Sequence, residues 1–381
     1  MYKIQEIFQA SYSEYCNHYN PSEVQHKAAS SIMNCKSGKL GCNISMCEDC
    51  GHAEIHNNSC RNRNCPCCQA MLKELWIDAR KAEVIDAPYF HVVFTLPAQL
   101  NPLIYTNQAI LYSLMHKCAS DTLLELSADK KYLGATPGII QVLHTWGQEL
   151  NFHPHIHCII TGAGLTKTKH LRKSPSKFFI PVKVLGKMFR GKFLDKLQSL
   201  YEDDKLCFTN HTNKLKNSYK WNEFRNSLYN ITWIPYIKET FNGFGNAIDY
   251  LGRYTHRIAI SNSRIKSVTS TKVTYAAKDY KTGEHKEVTI THLEFIRSFM
   301  MHVLPSGFQK IRYYGFLNNR SKKINLKLIV KLTGKELFQS KFISMKHDEL
   351  LLLLWNINVH LCPECGCSSM RHAGRIYSFR N

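Results

Sequence analysis

The chain has 381 residues, of which 44% are hydrophobic and 21% charged, the balance of a folded protein rather than a disordered one. Its 50 lysines and arginines outnumber 29 acidic residues, and the net charge of +21 favours a polyanionic partner, with nucleic acid as the first candidate. We see no basic amphipathic helix, no apolar run long enough to span a bilayer and no export signal. We therefore expect a cytoplasmic protein with no membrane role.

Cysteines dominate the first part of the chain. Fifteen cysteines, among them three C-x-x-C pairs, favour thiolate metal sites over disulfides in a chain without an export signal. The pairs Cys47–Cys50 and Cys65–Cys68 have the spacing of a zinc site built from two C-x-x-C segments, each of which supplies two thiolate ligands. We call such a segment a knuckle, and here a loop would join the two. Five further residues are ligands of this zinc, ligands of a second ion or bystanders that bind no metal: Cys60, Cys35, Cys42, Cys67 and His52. Residues 1–85 are thus predicted to form a zinc-binding module, in which Arg61 and Arg63 are placed to contact DNA phosphates.

The middle of the chain alternates between helical and strand patterns. A helical pattern ends before Ala87-Pro88, and the residues that follow are β-branched and aromatic. The predicted elements are a strand over 89–97, a helix over 107–126 and two strands over 138–148 and 153–161 joined by a short turn. This order predicts an α+β domain with a central antiparallel sheet flanked by helices.

The second of the paired strands carries the run His153-Pro154-His155-Ile156-His157. Alternate side chains of a strand share a face, so His155 and His157 can bind one metal ion and leave positions open for a phosphate oxygen. Gln148, across the turn, is the favoured third ligand, and His144 and Glu149 are its competitors. Mixed nitrogen and oxygen ligands without thiolate favour Mg²⁺ or Mn²⁺. His153 is expected to contact DNA rather than metal.

Beyond the sheet, a lysine-rich insertion spans about 167–220, and its basic groups face either phosphates or solvent. A helix over 246–257 follows, in which Tyr250 and Tyr254 lie four residues apart and hence on one face. These tyrosines fit an apolar stripe of a core helix. The same helix also carries Arg253 and Arg257, a charge density expected near a phosphate, where phenols can act as nucleophiles.

The last part of the chain contains a predicted hairpin over 264–290 and a basic stretch over 309–342. It closes with Cys362, Cys365 and Cys367, a candidate for a further zinc site whose fourth ligand would be His360 or His372. The predicted domains are therefore the zinc module at 1–85, a catalytic domain at 86–305 and a basic C-terminal region at 306–381.

Several motifs occur together in one order: Cys60-Arg61-Asn62-Arg63-Asn64-Cys65-Pro66, Pro88–Pro97, His144-Thr145-Trp146-Gly147, His153–His157 and Tyr250-Leu251-Gly252-Arg253-Tyr254. In this combination the chain resembles the two-tyrosine rolling-circle transposases of bacterial insertion sequences, within the HUH single-strand endonuclease superfamily. The resemblance covers nearly the whole chain. Asn64 and Cys42 depart from it, because relatives are expected to have histidine at these positions, and they bear on the ligands of any second zinc.

The resemblance implies a transposase that nicks one DNA strand through a 5′-phosphotyrosine intermediate, with His155 and His157 on the metal and Tyr250 and Tyr254 as nucleophiles. It also implies single-stranded and double-stranded DNA at element ends and target as partners, the host replication machinery as a further partner, and a nucleoid-associated location in bacteria. The alternatives are a plasmid replication initiator or relaxase with the same chemistry, and a zinc-dependent DNA-binding protein without catalysis.

Overall fold

The computed structural model describes residues 3–174, 178, 180–239, 252, 258–278 and 283–378. They form two compact units, each assembled from separate stretches of chain. Unit 1 comprises residues 1–82, 256–303 and 339–381, and unit 2 comprises residues 83–255 and 304–338. The segments 86–305 and 306–381, predicted as a catalytic domain and a C-terminal region, thus each contribute residues to both units. Within the described residues, no helix is long and apolar enough to cross a membrane.

The described helices are α1 (Ile4–His18), α2 (Glu23–Asn34), α3 (Gln69–Lys81), α4 (Asn101–Thr106), α5 (Gln108–Ala128), α6 (Val182–Glu202), α7 (Ser218–Asn230), α8 (His292–Met300), α9 (Lys322–Thr333) and α10 (His347–Trp355). The described strands are β1 (Cys42–Cys47), β2 (Ala53–Asn57), β3 (Tyr89–Thr95), β4 (Thr136–Trp146), β5 (Phe152–Leu165), β6 (Leu171–Lys173), β7 (Tyr236–Glu239), β8 (Ile265–Val268), β9 (Lys272–Lys278), β10 (His285–Thr291), β11 (Ile311–Gly315) and β12 (Met370–Ile376).

The sheet of unit 2 runs in the order β11-β4-β5-β3-β7, and β6 pairs with β5 outside this path. Each of these pairings is antiparallel. The predicted α+β fold with an antiparallel sheet is confirmed. Strands β4 and β5 are joined by the short turn at 147–151. Because β3 pairs with the other edge of β5, β5 lies in the middle of the sheet.

One face of this sheet is covered by the hydrophobic core of unit 2. Ile156, Cys158 and Ile160 of β5 belong to that core, together with Leu123 of α5 and Phe189 of α6. Because strand side chains alternate between faces, the residues between them in sequence lie on the opposite face. The lysine-rich insertion contains α6, which buries its apolar side in this core.

Unit 1 contains two three-stranded sheets, in the orders β12-β1-β2 and β10-β9-β8. Helices α1 and α8 contact each other through an edge-to-face pair of Phe8 and Phe299 rings, 5.3 Å apart, and a 2.9 Å hydrogen bond between Ser11 Oγ and His292 Nδ1. The hairpin predicted over 264–290 is the β9–β10 pair, to which β8 adds a third strand. Its turn at 279–282 lies outside the described residues.

Candidate functional site

Four histidines lie on the face of the unit 2 sheet that is turned away from its hydrophobic core. His91 is on β3, His144 on β4, and His155 and His157 on β5. The antiparallel register pairs His144 directly with His155. The neighbours of His155 and His157 in sequence, Ile156 and Cys158, belong to the core on the other face. The strand alternation predicted from the H-x-H spacing therefore places the imidazoles together, on adjacent strands in the middle of the sheet.

Three of these imidazoles form a group suited to one metal ion. One ring nitrogen from each of His144, His155 and His157 lies within 4.8 Å of the others. The ring centroids are 4.5 Å apart for His144 and His157, and 4.8 Å for His155 and His157. Burial lowers the pKa of His155 to about 4 and the pKa of His157 well below its ordinary value, because a buried site disfavours the charged imidazolium. Burial therefore favours the neutral state of these two rings, which is the state that binds metal.

Hydrogen bonds orient two of the three rings. Nδ1 of His155 lies 2.7 Å from the carbonyl oxygen of His153, so Nδ1–H donates there and Nε2 keeps its lone pair for a metal. Nδ1 of His157 lies 2.8 Å from Nε2 of His91, and the two rings are parallel within 4°. For His157 to bind metal through Nε2, its Nδ1–H must donate to His91. We therefore assign His91 as a positioning residue for the ligand His157.

The third member of the group is His144, one of the two competitors of the predicted ligand Gln148. His144 is the cross-strand partner of His155. Gln148 follows the end of β4 at Trp146 and, like Glu149, lies in the turn at 147–151. Strand β4 thus ends two residues earlier than the sequence pattern predicts. His153 is outside the group, and its carbonyl orients His155.

This donor set suits a divalent metal with open coordination positions. Three imidazoles supply three ligands, and a catalytic metal keeps further positions for water or substrate. Imidazole nitrogen suits first-row transition metals, whereas Mg²⁺ prefers oxygen ligands. Of the two ions predicted from the sequence, Mn²⁺ therefore fits this group better than Mg²⁺.

Substituting His91→Phe is expected to weaken Mn²⁺ binding about 10- to 100-fold, because His157 loses the partner that fixes its orientation and tautomer. The measurement is Mn²⁺ titration of the metal-depleted protein by electron paramagnetic resonance. The matched control is His116→Phe: His116 is equally buried, on α5, and hydrogen-bonds Gln141 rather than a member of the histidine group. Equal Mn²⁺ affinity in both variants would contradict the role assigned to His91.

The lowered pKa values also predict the pH dependence of metal binding. An imidazole with an ordinary pKa near 6.5 loses metal to protons below that pH, whereas His155, with a pKa of about 4, does not. We expect Mn²⁺ affinity to stay nearly constant from pH 8 down to about 5.5. The unfolded chain binds these protons first, so the metal-free fold loses stability as pH falls from about 6.5 towards 4. A decline in Mn²⁺ affinity that begins near pH 6.5 would contradict this prediction.

The cysteines form two groups of four, both in unit 1. Cys35, Cys60, Cys65 and Cys68 make the first group, and Cys47, Cys50, Cys362 and Cys365 make the second. In the first group, the Sγ atoms of Cys35 and Cys68 are 3.4 Å apart and those of Cys60 and Cys68 are 3.6 Å apart. Tetrahedral zinc with Zn–S bonds of about 2.3 Å sets its ligand sulfurs about 3.8 Å apart, so these thiols fit zinc. The two knuckles predicted to share one zinc thus lie in different groups.

The remaining candidate ligands lie outside both groups. Cys42 is buried at the start of β1, and Cys67 accepts a 3.8 Å hydrogen bond from Asn262. Asn64, the departure from the family pattern, bonds the side chain of Asn62. His360 faces Asp348 at 3.1 Å. Cys367, His52 and His372 are likewise absent from the two cysteine groups.

A groove of about 810 Å³ in unit 1 runs beside the first cysteine group. Lys36, Arg61 and Arg375 line it together with the aromatic side chains of Trp355 and Tyr377, and the lining contains no acidic residue. Both Lys36 and Arg61 have positive φ, 56° and 55°, a conformation that such residues rarely adopt and that is often retained at functional positions. We call this surface the basic groove. Arg63, the other predicted DNA contact of the module, is exposed nearby in sequence but does not line the groove.

The predicted nucleophiles Tyr250 and Tyr254, with Arg253 and Arg257, lie outside the described residues. Within the predicted helix over 246–257, the structure describes only Gly252, which has a helical backbone.

Two family models match the chain. The model described as "Transposase zinc-binding domain", of the IS91 type, matches residues 7–96, which contain the first cysteine group. The Y2 model described as "Putative transposase" matches residues 138–324, which contain the three grouped histidines and the predicted tyrosines. The two models together account for the zinc module and the histidine site.

Similar proteins carry the same description. A protein of Sinorhizobium fredii named "Putative transposase y4qJ" is 39% identical over 328 residues, covering 85% of this chain and 82% of that protein. The "Transposase for insertion sequence element IS801" of Pseudomonas savastanoi pv. phaseolicola is 28% identical over 313 residues. This match covers 78% of this chain and 71% of that protein. The match to a structure of the conjugative relaxase TrwC with oriT DNA covers 44% of this chain and 71% of that chain, at 12% identity. Its TM-score of 0.25 does not establish a common fold. This chain belongs to the two-tyrosine insertion-sequence transposases that carry an IS91-type zinc-binding domain.

Proposed function

We propose that this transposase cuts single-stranded DNA at the ends of its element by a tyrosine nucleophile at a histidine-bound divalent metal, and transfers the cut strand. The observation that carries the proposal is the group of His144, His155 and His157, three imidazoles on adjacent strands whose ligand atoms lie within 4.8 Å of one another. Membership of the transposase family and the positions of Tyr250 and Tyr254 within the matched region support it.

The chemical step is a transesterification. The phenolic oxygen of Tyr250 or Tyr254 attacks phosphorus and loses its proton, the bond from phosphorus to O3′ breaks, and the leaving strand takes up a proton as a free 3′-OH. The phosphate remains on the tyrosine as a 5′-phosphotyrosine, which keeps the phosphodiester energy for rejoining. A second tyrosine can attack elsewhere while the first holds its end. The free 3′-OH is a primer for the host replication machinery, the second proposed partner.

The protein residues have separate tasks in this step. A bound divalent cation would polarise the scissile phosphate and stabilise the charge that develops there. His144, His155 and His157 would hold that cation, and His91 and the backbone of His153 orient the rings of His157 and His155. The all-imidazole donor set leads us to propose Mn²⁺ as the better activator and Mg²⁺ as the weaker one.

The test is a covalent-adduct assay with single-stranded DNA from both ends of the element. Purified protein is incubated with labelled DNA and Mn²⁺ or Mg²⁺ and resolved on a denaturing gel. A metal-dependent protein–DNA adduct that is lost in His155→Ala is the expected result. Binding to both ends without any adduct at any Mn²⁺ concentration would overturn the proposed chemistry and favour the DNA-binding alternative.

We propose further that the basic groove contacts DNA, with Arg61 and Lys36 on phosphates and Trp355 and Tyr377 against bases. Basic side chains interleaved with aromatic ones are typical of surfaces that bind single strands. Substituting Arg61→Ala is expected to weaken binding and to reduce the slope of log affinity against log salt by about 1. The measurement is a salt titration of binding to the same DNA. Lys266→Ala, an exposed position of β8, is the control, and an equal slope in both variants would remove Arg61 from the contact surface.

A further inference from the structure

We propose that Cys47, Cys50, Cys362 and Cys365 bind a second zinc ion, which fastens a knuckle near the start of the chain to a knuckle near its end. The four thiols come from segments separated by more than 300 residues and lie within 4.8 Å of one another. The site is independent of the proposed cutting chemistry, because all four thiols and the strands that carry them belong to unit 1, whereas the histidine group belongs to unit 2.

The two segments that carry these thiols have the same backbone structure. Each has the pattern C-x-x-C-G, and the glycines Gly51 and Gly366 have nearly equal φ values of 74° and 72°. In each, the glycine N–H donates to the carbonyl of the first cysteine, at 3.0 Å from Gly51 to Cys47 and at 3.0 Å from Gly366 to Cys362. A side chain at either glycine would meet nothing within 4 Å, so the positive φ is what requires glycine. Two equivalent knuckles of this kind are the two halves of a zinc site.

The sulfur positions fit a tetrahedral metal. Sγ of Cys47 lies 3.6 Å from Sγ of Cys365, and Sγ of Cys50 lies 3.6 Å from Sγ of Cys362. The expected spacing on zinc is about 3.8 Å, whereas a disulfide would bring the sulfurs to about 2.05 Å. Each of these short distances joins one knuckle to the other. The thiols therefore surround one common point instead of forming separate pairs within each knuckle.

The likeness of the two knuckles also explains why the third C-terminal cysteine, Cys367, is not a ligand. The N–H of Cys47 donates to the carbonyl of His52 at 2.8 Å, and the N–H of Cys362 donates to the carbonyl of Cys367 at 2.9 Å. Cys367 therefore occupies the position of His52, where the backbone closes the knuckle and the side chain is not a ligand. The predicted set of Cys362, Cys365 and Cys367 thus supplies two ligands, and Cys47 and Cys50 supply the other two.

The surrounding sheet has little hydrophobic burial to hold it. Strand β12 pairs with β1, but only Met370 of its seven residues is buried. Met46, Ile55 and Ile376 of the three strands remain 47%, 64% and 50% exposed. The buried cluster beneath the knuckles consists of Cys47, Cys362 and Met370. A sheet with so small a core needs a covalent or metal link for stability, and a zinc ion supplies it.

The first test is zinc content measured on the full-length protein. Wild type is expected to contain two zinc ions per chain, one for each cysteine group. The double variant Cys362→Ser, Cys365→Ser is expected to contain one, and the control Cys367→Ser is expected to keep both. A single zinc in the wild type, or two in the double variant, would overturn the proposal.

A second test needs no variant, so misfolding of the double variant cannot leave the question open. Wild-type protein is alkylated under reducing conditions with and without a chelator, and each cysteine is followed by mass spectrometry. Cys47, Cys50, Cys362 and Cys365 should be protected together, although Cys50 and Cys365 are exposed, and all four should become reactive on zinc removal. The exposed Cys367 and Cys207 should react from the start. Rapid alkylation of Cys365 beside a protected Cys50 would contradict a shared ion.

Discussion

Replacing both Tyr250 and Tyr254 with phenylalanine is expected to abolish the covalent protein–DNA adduct while leaving DNA binding unchanged. Removing the nucleophile of an enzyme can cost on the order of 10⁶-fold in rate, which places any residual adduct below detection. The substitution removes only a hydroxyl from each ring, so each side chain keeps its aromatic ring. The measurement is the adduct assay with Mn²⁺, beside a binding titration on the same DNA.

The single variants separate the two tyrosines. If each can act as nucleophile, at least one single variant still forms an adduct, while strand transfer between two DNA ends is lost in both. Tyr219→Phe is the matched control, because Tyr219 is 72% exposed on α7 and has no assigned role in the reaction. An adduct formed by the double variant would assign the nucleophile to another residue and leave the histidine metal site standing.

Substituting Cys65→Ser is expected to remove one zinc ion and to unfold the N-terminal helices. Cys35 caps the end of α2 and Cys68 precedes α3, so the first cysteine group, with the buried Cys65 and the half-buried Cys60, links two helices of unit 1. Zinc binding in small modules is worth about 10 kcal/mol of folding free energy, comparable to the whole stability of a typical domain. The measurements are zinc content and the thermal unfolding transition.

Cys42→Ser is the control for this experiment. Cys42 is also a buried cysteine of unit 1, but it belongs to neither cysteine group. Its substitution should keep the zinc content and change the transition only as much as a small core substitution does, about 1 kcal/mol. A Cys65→Ser protein with full zinc content and a normal transition would remove the first cysteine group from the zinc ligands.

The local elements of this protein can be predicted from the sequence, and its long-range pairings cannot. Strand β3 and the paired strands β4 and β5 follow from β-branched and alternating residues, and the H-x-H spacing alone places His155 and His157 on one face. The sequence pattern extends β4 to Gln148, but the strand ends at Trp146. The pattern does not give the register of β4 against β5, which places His144 opposite His155.

The cysteines show the same limit more clearly. Spacing identifies each knuckle, but it favours joining Cys47–Cys50 to the neighbouring knuckle Cys65–Cys68. In the structure, β1 pairs with β12, so the first knuckle lies beside Cys362 and Cys365 instead. No local periodicity carries information about a partner more than 300 residues away. The helix with the predicted nucleophiles lies outside the described residues, so its assignment stays a prediction.

The central position of β1 between β2 and β12 has a consequence for synthesis of the protein. The ribosome completes β1 and β2 one after the other, but the other edge of β1 pairs with residues 370–376, which are made more than 300 residues later. Until then a strand edge with open hydrogen-bonding groups stays exposed on the nascent chain. The basic groove is also incomplete, because Trp355, Arg375 and Tyr377 are missing from its lining. A chain translated only as far as the zinc module therefore has no finished groove with which to bind DNA, and this surface becomes available only after Tyr377 has been made.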